Sequence, residues 1–270
     1  MKIDIDEVLR LRAPGVWRIL PRFMIRGLEK FICQDRLNEL LAGNASLSGA
    51  DFAEGVLRDL SVTYRIRGKF DPSQRRVLFV SNHPLGGLDG LVLASAVKQL
   101  YLGDGEMKFV VNDLLTFVEP LRSIFLGINK HGDQSRDAVA LLDQAFAGPA
   151  PIVMFPAGLV SRRHPDGSIA DLRWQKMVVN KAISCQRDII PLHFSGENSK
   201  FFYNFAHLRT SLGLKFNIEM ARLPAEIFQR EGETFTITLG QPVRWQSLKG
   251  GRDAQRQADE LRETVYSLRP

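Results

Sequence analysis

Short apolar runs, bounded by turn residues and separated by helix-length stretches, constrain this chain more than any of its other features. Runs rich in β-branched and aromatic residues fall at 62–66, 77–80, 109–111, 124–128, 152–155 and 189–194. Helix-like stretches lie between them at 91–100, 135–146 and 174–184, and a further strand is expected at 235–239. Apolar strands alternating with helices favour a largely parallel sheet covered on both faces. The expected fold class is therefore α/β, a largely parallel central sheet flanked by helices. A charged surface helix over 252–268 would close the domain.

Ahead of this pattern, residues 8–42 read as helical and amphipathic, with Pro14 and Pro21 placed to break or kink the run. Trp17, Ile19, Leu20, Phe23, Met24, Leu28, Phe31 and Ile32 supply its apolar positions. Arg10, Arg12, Arg18, Arg22, Arg26 and Lys30 surround them. A basic helix with Trp and Phe on its apolar side suits an anionic lipid interface. It equally suits a helix packed on the main domain with its basic face in water, and the two are compatible. Trp17, Arg18, Arg22, Phe23 and Arg26 are the expected membrane contacts. The chain thus divides into an amphipathic region, 1–50, and a main domain, 51–270.

Its 270 residues suffice for one substantial domain with a helical appendage. A net charge of +6 and a pI near 9.5 point to an anionic partner, whether nucleic acid, membrane surface or phosphorylated substrate. The basic residues concentrate in the N-terminal helix and one loop, without interleaved stacking aromatics, which argues against nucleic acid. Cys33 and Cys185 lie far apart without metal-ligand spacing, as in a reducing, cytosolic setting. Asp4, Asp6 and Glu7 interrupt any start resembling a signal peptide. No uncharged apolar run approaches the roughly 18 residues of a membrane span. The best stretch, 114–128, contains Glu119, Pro120 and Arg122. Membrane contact is therefore expected to be peripheral.

Four segments carry chemistry. In Val80-Ser-Asn-His-Pro-Leu-Gly-Gly-Leu-Asp-Gly90 a strand runs into a turn at the carboxyl edge of the sheet, where open α/β sheets bind ligands. His83 suits a general base and Asp89 a partner that fixes its tautomer. Six residues of continuous helix would set them about 240° apart. Pro84, Gly86 and Gly87 oppose a helix there, so a compact turn would bring them together. The plainer reading makes Asp89 a helix cap and His83 a surface residue. Gly127-Ile-Asn-Lys-His-Gly132 places Lys130 past a strand end, facing an anionic group or simply water. Ile152-Val-Met-Phe-Pro-Ala-Gly-Leu-Val-Ser-Arg-Arg163 opens into a turn whose Gly158 permits close backbone approach. Arg162 and Arg163 offer forked donors to phosphate or carboxylate, or form a solvated basic loop. The fourth, 189–198, holds His193 within an apolar pattern, as a satisfied core histidine.

In this order the four segments resemble the glycerolipid (lysophospholipid) acyltransferase family over roughly residues 60–245. Asn82-His83 through Asp89 is similar to its catalytic His–Asp motif, Phe155-Pro156-Ala157-Gly158 to its acceptor-binding Phe-Pro-Glu-Gly segment, and Ile190-Pro191-Leu192 to its fourth block. Five residues separate His and Asp here against the usual four, and Ala157 stands where the family has glutamate. Both departures are similar to a bacterial branch loosely called hemolysin-like, which includes proteins linked to ornithine- and glycine-containing aminolipids.

The resemblance implies an O-acyltransferase moving a fatty-acyl group from acyl-CoA or acyl carrier protein to a lyso-aminolipid hydroxyl, at the cytoplasmic face of the membrane. His83 and Asp89 would be catalytic, with no bound metal or redox cofactor. Asn82, Gly86, Gly87, Lys130, Phe155, Pro156, Gly158, Ser161, Arg162 and Arg163 would contact substrate. Arg173 and Lys176 would extend the basic patch. Two alternatives remain: a 1-acylglycerol-3-phosphate acyltransferase, and a lipid-binding protein that keeps the fold without the chemistry.

Overall fold

The computed structural model describes residues 2–112, 118–128, 136–213 and 217–270. Five helices come first: α1 (Ile5–Arg12), α2 (Pro14–Ile19), α3 (Arg22–Phe31), α4 (Gln34–Gly43) and α5 (Gly49–Asp59). Pro14 occupies the first turn of α2 and Pro21 precedes α3, so each proline starts a helix where its missing N–H goes unmissed. Cys33, in the left-handed region at φ 55°, turns the chain into α4.

Strand–helix alternation follows. β1 (Thr63–Arg67), β2 (Val77–Ser81), α6 (Gly87–Leu100), β3 (Lys108–Asn112) and β4 (Phe125–Ile128) lead to α7 (Arg136–Ala147) and β5 (Ile152–Met154). Two-residue strands β6 (Arg162–Arg163) and β7 (Ile169–Ala170) pair as an antiparallel ribbon. Then come α8 (Met177–Ser184), β8 (Asp188–Phe194), α9 (Lys200–Ser211), α10 (Leu223–Phe228), β9 (Thr234–Leu239) and α11 (Ala254–Ser267). The main sheet has the order β1-β9-β8-β2-β5-β3-β4. Strands β8, β2, β5, β3 and β4 run parallel, while β9 joins β8 antiparallel and carries β1 parallel to itself.

Side-chain alternation along β2 makes the layers. Val77 and Phe79 point into a core shared with α5 and α6, and Leu78 and Val80 into one shared with α7, α8 and α11. Each large side chain so buried stabilises the fold by about 1.5–3 kcal/mol. Being covered on both faces, β2 can offer function only at its ends.

The amino end of the sheet is closed by Arg187. Fully buried, it donates to the carbonyls of Ala145, Phe146, Gly148, Ala150 and Val77 at 2.6 to 3.2 Å. It thereby adds donors to carbonyls at the end of α7, beyond the Gly148 N–H that Ala145 also accepts. Burial pulls its pKa down to about 10, so it stays charged at neutral pH.

His193, in β8, is 4% exposed and packs edge-on against Tyr266. It is a core residue, as expected, but its Nδ1 finds no hydrogen-bond partner among the described residues, so it is not a satisfied one. Burial, with the nearby Arg269 charge, pushes its pKa down to about 4. Two helix boundaries also differ from the sequence reading. Helix α6 starts at Gly87, directly out of the turn, and α8 starts only at Met177 because Trp174 points inward to Asp171.

Arg187→Met should strand several buried carbonyls and lower stability by more than about 3 kcal/mol, read from the urea midpoint. His193 titrates lower folded than unfolded, so its contribution is complete above pH 6.5 and is lost as pH falls toward 4. Between pH 7.5 and 4.5 that loss should be about 2–3 kcal/mol, and His193→Phe should lack that component of acid destabilisation.

Candidate active site

Strand β2 ends in a turn at the carboxyl edge of the sheet, and every part of that turn is held. Asn82, nearly fully buried, donates from Nδ2 to the Phe194 carbonyl (2.9 Å) and accepts the Phe194 N–H at Oδ1 (2.7 Å). It sews the ends of β2 and β8 together. Gly86 has φ 78°, and a Cβ there would lie 2.8 Å from Leu223 Cδ1. Backbone sign and space both demand glycine. Gly87 opens α6, where a Cβ would be 3.3 Å from Ile227.

Asp89 is the third residue of α6, at the helix end that attracts negative charge, and is fully buried. Its carboxylate accepts the Leu85 N–H (2.9 Å) and lies 3.1 Å from His83 Nδ1. Turn support and imidazole partner are thus one group. The His83 ring, about one-fifth exposed, stacks on Phe155 with centroids 4.0 Å apart and planes at 24°.

The His83 backbone is fixed as firmly as its ring. Its N–H donates to Asp171 Oδ1 (3.1 Å), and its carbonyl accepts the Ser161 N–H (2.8 Å). Asp171 also accepts from Ser161 Oγ (2.6 Å) and Trp174 Nε1 (2.9 Å). Its own N–H donates to Tyr266 Oη (2.6 Å) and its carbonyl accepts from Arg262 (2.8 Å). Burial raises the Asp171 pKa, and the hydrogen bonds from Ser161, Trp174 and His83 pull it back. Asp171 is the anchor that the sequence reading missed. Only its three-residue spacing to Trp174 hinted at it, and that spacing is common.

The structure therefore brings His83, Asp89, Asn82, Gly86, Gly87, Phe155 and Ser161 into one assembly. Ser161 is buried, with its hydroxyl committed to Asp171. Pro156 is buried, and Gly158, at φ 66°, donates back to the Phe155 carbonyl at 2.9 Å. Ala157 packs in the core with α7, α8 and α11, so the third segment presents no carboxylate.

The arginines have separate fates. Arg162 pairs with the fully buried Glu219 (2.8 Å) and caps the Val160 carbonyl. Arg163 is exposed and donates to Asn204 Oδ1 (2.8 Å) beside the Tyr203 ring. Arg173 pairs with Asp259 at the surface. Lys130 lies outside the described residues.

In the N-terminal helices Phe23 is 74% exposed, and Arg18, Arg22 and Arg26 are exposed too. Trp17 is half-buried and donates to Asp6 (2.9 Å). Among the described residues no helix is long and apolar enough to cross a membrane, and no group of three or more His, Cys, Asp or Glu is placed to hold a metal ion.

Three comparisons bear on this arrangement. The sequence model of a family described as acyltransferase matches residues 7–270. The chain is 39% identical over 267 residues to the lyso-glycine lipid O-acyltransferase of Bacteroides thetaiotaomicron, covering 98% of this chain and 97% of that protein. It is 40% identical over 267 residues to the lyso-glycine lipid O-acyltransferase of Phocaeicola vulgatus, covering 98% and 95%. The crystal structure of the 1-acyl-sn-glycerophosphate acyltransferase PlsC from Thermotoga maritima aligns over 80% of each chain, with a TM-score of 0.43 and 14% identity.

Gly86→Ala should cost about 2 kcal/mol or more, from the left-handed backbone and the collision with Leu223. Adding Leu223→Ala should relieve only the collision. Thermal melts of the single and double variants separate the two contributions.

Proposed function

This chain belongs to the acyltransferase family, and on that premise we propose that it transfers a fatty-acyl group from a thioester donor to the hydroxyl of a lyso-glycine lipid or a closely related lyso-aminolipid. The observation that carries the reading is His83 Nδ1 at 3.1 Å from the buried Asp89 carboxylate, at the open edge of the sheet. The names of the two curated relatives supply the acceptor class.

The geometry divides the work. Asp89 occupies Nδ1, so the acceptor hydroxyl gives its proton to Nε2 as its oxygen attacks the thioester carbonyl. Asp89 supports the imidazolium that forms. As the tetrahedral intermediate collapses, the C–S bond breaks and the imidazolium returns the proton to the departing sulfur. Amides of the first turn of α6 serve the oxyanion, a contribution of about 3 kcal/mol per donor. Phe155 fixes the plane of the ring, while Asp171 and Ser161 fix its backbone.

Ala157 leaves the acceptor site without the carboxylate of the family motif, which favours an acceptor headgroup unlike that of lysophosphatidate. Arg163 and Lys130 are the proposed contacts for an acidic headgroup or donor phosphate. Arg162 acts through Glu219 to position that loop. Acyl-CoA and acyl carrier protein are both acidic, and the net charge of +6 suits either. Residues 1–50 are proposed to rest peripherally on the cytoplasmic face of the membrane, with residues 51–270 as the catalytic body.

Purified protein offered both donors with lyso-glycine, lyso-ornithine and lysophosphatidate acceptors should acylate an aminolipid, detected by mass spectrometry. His83→Ala should lower kcat/KM by about 1,000-fold or more, and Asp89→Asn by about 100-fold. Preference for lysophosphatidate would overturn the acceptor, and His83-independent product would overturn the mechanism.

A further inference from the structure

Helix α9 is apolar on two sides. Its inner face buries Phe202, Tyr203 and Ala206. Phe201, Phe205, Leu208 and Leu212 follow at i, i+4, i+7 and i+11, a second stripe at helical spacing. Three of these are 51%, 54% and 65% exposed, at Phe201, Leu208 and Leu212. Such a stripe on a soluble surface marks a contact. We propose that α9 is a bilayer-docking element, seating this stripe in an anionic membrane surface beside the catalytic turn.

The stripe continues an apolar surface on α3. Phe205 meets Phe31 edge-on at 6.0 Å and stacks with Phe201 at 5.9 Å. Arg222 lies over both Phe31 and Phe201, at 5.3 and 5.4 Å. Along α3, Met24, Leu28 and Phe31 repeat at i, i+4 and i+7, and the first two are exposed. The two helices thus present one apolar strip.

Charge selects the occupant. Helix α9 has no acidic residue, and Lys200, Arg22, Arg26 and Lys30 are exposed on the two helices. Anionic headgroups neutralise such a rim. A second copy of the chain would instead set that rim against its own equivalent.

The amino end of α9 lies beside the reaction centre. Just before it, Asn198 donates to the Pro84 carbonyl at 2.9 Å. Leu223, the first residue of α10, packs on Gly86 from the other side. Docking here places the His83 turn at the lipid surface, a placement that rests on the reading of the acceptor as a lipid.

The test uses the full chain, with Phe201→Ser, Leu208→Ser and Leu212→Ser combined. Leu102→Asn, an exposed leucine beyond the far end of α6, is the control. Sedimentation with mixed phosphatidylglycerol–phosphatidylcholine vesicles should show about tenfold weaker partition for the triple variant and wild-type partition for the control. Its melting temperature and its activity on detergent-dispersed lyso-glycine lipid should match wild type, while activity on vesicle-embedded acceptor falls in step with partition. Unchanged partition overturns the proposal. So does a wild-type dimer that the triple variant dissolves without loss of vesicle binding, which would make the stripe an interface between copies. Stripe-dependent vesicle binding without acylation of any acceptor would sustain the docking surface and remove the enzymatic reading.

Discussion

A carboxylate with no access to water cannot be left with one task half done, and the carboxylate of Asp89 sets the terms for everything around it. It sits on α6, packed between the sheet and α5, so its charge must be met by donors from the preceding turn. The Leu85 N–H and the His83 ring are those donors. Folding the turn and aiming the base are therefore one event. A chain that closed the turn otherwise would leave a buried charge unmatched, and one that lost the charge would lose both the turn and the orientation of the imidazole.

One extra residue between His and Asp, relative to the family motif, is absorbed in the same place. The strand ends at Ser81, and past Pro84 the positive φ of Gly86 reverses the chain into α6. Cover comes from distant chain. Asn198 holds the Pro84 carbonyl, and Leu223 closes over Gly86. Glu226, also buried, accepts from both the N–H and hydroxyl of Ser199 at the start of α9. The turn thus depends on Asn198, Leu223 and Ile227 as much as on its own sequence.

What was legible in the sequence followed from local rules. The apolar runs mark the strands because each must be buried, and Pro14 and Pro21 mark helix starts because proline lacks a donor. His83 and Asp89 were readable because Pro and Gly between them exclude a continuous helix. The strands β6 and β7, only two residues each, are too short for any periodicity. Helices α9 and α10 escaped notice because α9 is apolar on two sides and blurs the helical pattern. Asp171, 88 residues from its partner His83, is visible only once the chain has folded. Ser161 and Arg162 looked like ligand contacts because they follow a glycine turn. Their partners Asp171 and Glu219, which claim the hydroxyl and the guanidinium, lie 10 and 57 residues away.

Among the described residues strand β1 joins the sheet only through β9, its register running from Thr63 opposite Thr234 to Arg67 opposite Thr238. During synthesis, an edge begun early therefore waits for one of the last strands to emerge. Until then α6, which packs against both α5 and β1, is the element that can hold this early edge in place.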